Sequence, residues 1–178
     1  MRRGLTLFAI LMAVLTVLSS CSPPPPPAAS QVLLSMETAL TESGQPLPDG
    51  VIRLTAASSD SPDCLTEALF SALYGEAARG LLASEDGQTP PVGDAALFLS
   101  LAPYPRELAV FRCSDLRTAA TVAGLCQGRV DTLRRGFGGG GGTEIPWQGS
   151  VSVEGCYVIL VVAEDPRPAG SAAKRAIG

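Results

Sequence analysis

Two apolar runs on either side of a Pro-Tyr-Pro turn constrain this chain more than any other feature. Ala95–Ala102 (AALFLSLA) and Arg106–Cys113 (RELAVFRC) flank Pro103-Tyr104-Pro105. Proline is confined to the margins of a sheet, so the prolines mark the turn and the runs predict an antiparallel hairpin. Side chains along a strand alternate between faces. Leu108 and Val110 therefore share one face, Ala109 and Phe111 share the other, and both faces are apolar. That pattern predicts a strand inside a sheet, partly covered on each side.

A second pair of runs, Gly149–Val153 and Cys156–Ala163, brackets Glu154-Gly155, a tight turn in which glycine supplies a positive φ. Between the hairpins, Ser114-Asp115 caps the strongest helical pattern of the chain, Leu116–Arg135. Leu116, Ala119, Ala120, Ala123, Cys126, Val130 and Leu133 recur at three- and four-residue spacing, with Arg117, Thr118, Gln127 and Arg134 opposite. Gly124 and Gly128 interrupt this helix at about 1 kcal/mol each relative to alanine, and read as points of close packing on a neighbour. Val32–Leu40 is a short helix candidate, and Val51–Thr55 a short strand or an extended lead-in. A further helix starts at Ser61-Pro62-Asp63, with Ser61 as cap and Pro62 in the first turn. It places Leu65, Leu69, Ala72 and Leu73 on one face and ends at Tyr74-Gly75. The expected fold is α+β: a mostly antiparallel sheet of about four strands, in two hairpins, with helices packed on a face.

The N-terminus carries an address. Arg2 and Arg3 precede an apolar run from Gly4 to Leu18, about 15 residues against the roughly 20 a membrane-crossing helix needs. Leu18-Ser19-Ser20-Cys21 follows, and resembles the lipobox of bacterial lipoproteins. The resemblance implies cleavage between Ser20 and Cys21 and acylation of the Cys21 thiol. Two acyl chains anchor stably where one is marginal. Pro23–Pro27 then favours polyproline II, a semi-rigid spacer. The chain thus divides into a signal peptide (1–20), a lipidated cysteine with a proline-rich tether (21–31), a single domain (32–165) and a C-terminal tail or short helix (166–178). The expected location is the extracytoplasmic face of the cell membrane.

Loss of residues 1–20 removes two of the 13 basic residues and none of the 17 acidic ones, which leaves a formal charge of −6. An acidic chain argues against nucleic acid as a partner. The sequence has no histidine, which excludes Ser-His-Asp and Cys-His catalysis and histidine metal sites. Cys64, Cys113, Cys126 and Cys156 remain after Cys21; an even number in an exported protein permits two disulfides, in three possible connectivities. The alternative is burial as small apolar residues. They form no CxxC pair, so no metal site or cofactor is expected. Gly138–Gly142 lacks GK[ST] and follows a helix instead of a strand, which argues against a phosphate cradle.

Arg106–Arg112 (RELAVFR), a helix containing Arg129, and Val151–Val158 (VSVEGCYV) together resemble an uncharacterised family of small lipoproteins from clostridia and related Firmicutes, a domain of unknown function. Leu108 stands where that pattern usually has isoleucine, and the polyglycine loop replaces a connection richer in tyrosine and proline. The resemblance implies a location and a fold, and no activity. Glu107, Arg129, Trp147 and Tyr104 are the candidate binding residues, with a Glu107–Arg129 pair as the structural alternative. The expected function is a non-enzymatic binding module, with membrane lipid as partner through Cys21 and an envelope protein or cell-wall ligand beyond it. The alternative is an envelope hydrolase using carboxylates without histidine, drawn from Glu107, Glu144, Glu154 and Asp165.

Overall fold

The computed structural model describes residues 25–55, 60–84, 87–102, 104–137 and 146–178. Helix α1 (Ala29–Glu42) leads into strand β1 (Val51–Leu54), then helix α2 (Glu67–Tyr74) and a 3-10 turn at Glu76–Ala78. The hairpin β2 (Val92–Ser100) and β3 (Arg106–Cys113) follows, then helix α3 (Leu116–Phe137), the hairpin β4 (Gln148–Glu154) and β5 (Tyr157–Ala163), and helix α4 (Arg167–Ile177). The strands form one antiparallel sheet in the order β1-β2-β3-β5-β4. This is the expected α+β class, with β1 as a fifth strand.

The helices cover both faces of the sheet. Ala95, Leu97, Ala109, Phe111, Val158, Leu160 and Val162 face α2 and α3. Ala96, Phe98, Leu108, Val110, Ile159 and Val161 face α1 and α4. Every residue of β5 is buried, as a strand with two covered faces must be. The chain after Asp165 is therefore core-forming, since Ala169 and Ala173 of α4 are fully buried against α1 and the sheet.

Local chemistry sets the boundaries. Asp115 caps α3, accepting the Thr118 N–H at 2.7 Å, which with its other hydrogen bonds holds the carboxyl below its ordinary range. Helix α2 starts later than Ser61 because Thr66 is its cap, accepting the Leu69 N–H. Ser61-Pro62-Asp63 is instead a turn, in which Ser61 accepts the Asp63 and Cys64 N–H groups. That turn delivers Asp63–Leu65 to the outer edge of β1, where Leu54 donates to Asp63 and accepts from Leu65. The β4–β5 turn is Gly155-Cys156, with Gly155 at φ +56°. Leu116 is 67% exposed and Ala120 and Ala72 are exposed, so the apolar faces of α3 and α2 are narrower than their periodicity implies.

Candidate binding cleft and its buried ionic support

Leu97, Leu99 and Leu101 alternate along β2 and its exit and so line one side of the sheet. Leu69 and Leu73, four residues apart on α2, rise beside them. Between the two rows lies a half-open cleft of about 260 Å³, closed at its margin by Val51, Arg53 and Ser100. Val51 and Leu101 are exposed at its mouth, and among the described residues Arg53 is the one charged residue lining it. A wider groove of about 490 Å³ lies between α1 and α4, but it is open, and Ser35, Thr38, Glu42 and Arg175 interrupt its apolar lining.

Behind the cleft the sheet holds a buried charge. Glu107 on β3 is the register partner of Leu99 and has 0% exposure. Its Oε1 accepts the Tyr74 hydroxyl at 2.7 Å and its Oε2 accepts the Arg129 Nε–H at 2.9 Å. Tyr74 closes α2 and packs edge-on against Phe111 at 5.5 Å, while Arg129 reaches in from α3. Burial, reinforced by the Glu107 charge, holds the Tyr74 phenol well above its ordinary range, so it remains a proton donor. Both carboxylate oxygens are engaged and neither meets solvent. The network braces α2 and α3 against β3, and thereby sets the wall of the cleft; Glu107 is a positioning residue.

Of the candidate binding residues, Glu107 and Arg129 thus come together as a pair. Trp147 is 4% exposed and belongs to the core on the α2/α3 side, and its Nε1 is buried without a hydrogen-bond partner. Tyr104 is 44% exposed at the end of the sheet that carries Leu101. The four cysteines carry free thiols. Cys113 and Cys156 lie opposite each other where β3 and β5 meet, with the Cys113 N–H donating to the Cys156 carbonyl at 2.8 Å. Burial pushes the Cys113 thiol up to about 12 and the Cys126 thiol well above its ordinary value. Ser20, Cys21, Glu144 and Gly138–Gly142 lie outside the described residues.

The alternation of Leu97, Leu99 and Leu101 was the available signal for the cleft floor. Nothing in the sequence joins it to Leu69 and Leu73, or Tyr74 to Glu107, which lie more than 20 residues apart. No protein-family model, curated protein or solved structure matches the chain.

Proposed function

We propose that this chain is a lipid-anchored lipoprotein of the extracytoplasmic membrane face whose domain binds, without catalysis, a small apolar group carrying an anion. The observation that carries the binding reading is the leucine-lined cleft with Arg53 at its margin. Its volume suits one aromatic ring or a short alkyl chain, since an apolar cavity of about 150 Å³ takes up benzene. A cation beside an apolar slot favours a ligand whose acidic group stays in solvent while its apolar part is buried. The state of the candidate carboxylates argues against hydrolysis. Glu107 is fully committed to Tyr74 and Arg129, and the other described candidate carboxylates pair with cations, Glu154 with Lys174 and Asp165 with Arg167.

The anchor and the cleft are tested separately. Cys21→Ala is expected to release the protein from the membrane fraction or to leave it as precursor; mature, membrane-bound Cys21→Ala protein refutes the anchor. For the cleft, calorimetric titration with phenylacetate, one ring with one carboxylate, is expected to give saturable binding that Leu73→Glu abolishes and Arg53→Gln weakens. Near-ultraviolet circular dichroism confirms that each variant is folded. Undiminished binding by folded Leu73→Glu refutes the cleft.

A further inference from the structure

The domain does not begin where the tether ends; it takes hold of the tether. The Tyr157 hydroxyl donates to the Pro27 carbonyl at 2.6 Å. Two residues on, the Ala29 N–H at the start of α1 donates to Asp94 Oδ2 at 2.8 Å, a carboxylate placed where the helix dipole favours it. Tyr157 opens β5 and Asp94 lies near the start of β2, so both contacts sit at one end of the sheet. Pro27 and Ala28 are half-buried there, whereas Pro25 and Pro26 are exposed. Beside Tyr157, a shallow cleft between Glu154–Cys156 and Lys174 continues the same end.

We infer that this clamp gives the anchored protein a fixed stance: the Gly155 end faces the bilayer, and the leucine cleft faces away from it, toward the cell wall. Six residues separate Cys21 from Pro27 and span at most about 22 Å, whatever their conformation. The lipid surface is therefore held within that reach of Tyr157. From the clamp, α1 runs the length of the domain, about 21 Å for its 14 residues, to Gln45, which the far end holds through the Asp165 N–H at 2.7 Å. Strand β2 runs the same way alongside it, and the seven residues from Asp94 to Leu101 span about 23 Å. The cleft thus opens at the end opposite the anchor. Its ligand comes from the wall side, and the bilayer into which Cys21 inserts is not its source.

This inference rests on the lipoprotein reading, and one experiment separates the two. The mature lipidated chain, starting at Cys21, is reconstituted into phosphatidylcholine–phosphatidylglycerol vesicles containing a trace of headgroup-dansylated lipid. Leu116→Trp adds a donor at an exposed position beside the clamp end of β3, and Tyr104→Trp adds one at the cleft end. Over the background of Trp147, transfer to dansyl from Leu116→Trp is expected to exceed that from Tyr104→Trp by at least about threefold, given a strand length between them. Equal or reversed transfer in vesicle-bound protein overturns the stance. Failure of the chain to float with vesicles overturns the anchor beneath it. Tyr157→Phe with Asp94→Ala is expected to narrow the contrast, and an unchanged contrast overturns the clamp as its cause.

Discussion

The two faces of the sheet are held by different means. On the α1/α4 side the packing is apolar and close, with Ala29, Ala169 and Ala173 letting the helix backbones approach the sheet and each other. On the α2/α3 side larger rings meet a buried carboxylate, and the contact between helix and sheet passes through two hydrogen bonds to Glu107. Close packing fixes a helix by shape, with no preferred partner. A buried ionic network fixes it by direction, because each donor must find its own acceptor. The cleft lies on the directed side. Its wall, α2, has only eight residues and stands beside an edge strand of four, so shape alone gives it little support.

The largest difference is expected when one partner of the network is removed. Arg129→Met strands the Glu107 charge in the core and is expected to cost about 3–5 kcal/mol in urea unfolding. The triple variant Tyr74→Phe/Glu107→Met/Arg129→Met is expected to recover most of that loss, because no polar group is then left unpaired. It should still lose cleft binding if the network positions α2. A triple variant as unstable as Arg129→Met would mean that the α2/α3 side is held by shape after all.

Alkaline pH offers a second contrast, one of degree, since burial on the α1/α4 side raises Tyr157. Tyr74, Cys113 and Cys126 all lie on the α2/α3 side, and burial raises all three. A group raised in the folded state contributes stability that is complete below its unfolded value and is lost as pH rises toward its folded one. Stability is therefore expected to fall from about pH 9 upward, by up to about 1.4 kcal/mol per pH unit for each group ionised only in the unfolded chain. Tyr74→Phe with Cys126→Ala should flatten this limb in urea titrations at pH 8 to 11. An unchanged slope would place the alkaline sensitivity elsewhere.

The α1/α4 side answers to volume instead. Ala173→Leu is expected to cost about 1–3 kcal/mol by overpacking, with no change in the pH profile. The same small side chains explain why this layer was hard to read. A buried face of alanines offers little apolar bulk even where it is periodic, so α4 reads as a frayed tail although Ala169 and Ala173 are fully buried. The strands were legible because burial on both faces leaves no polar alternation, as in YVILVVA of β5. Helix α3 was legible from its three- and four-residue spacing and the Asp115 cap. The start of α2 was misplaced because a Ser-Pro pair serves a turn as well as a helix. Of the site, Glu107 and Arg129 were visible as an isolated acid in an apolar strand and an arginine on a helix. Tyr74 and the leucine cleft depend on contacts that only the tertiary fold creates.

The smallest expected effect concerns the glycines of α3 and its neighbour. Their mid-helix placement suggests close packing, yet at Gly124 and Gly128 an added Cβ meets nothing within 4 Å. Both residues face solvent. The close approach lies across the interface, at Gly149 of β4, where an added Cβ would overlap the Val130 side chain. Gly124→Ala and Gly128→Ala should each stabilise by about 0.5–1 kcal/mol, since alanine loses less backbone entropy in a helix. Gly149→Ala should destabilise, because Val130 is buried and must be displaced. Opposite signs in one urea series would show that the tight contact on this face belongs to the strand, with the helix contributing only the valine. A loss of stability in Gly124→Ala or Gly128→Ala would instead mean that something packs on the outer side of α3.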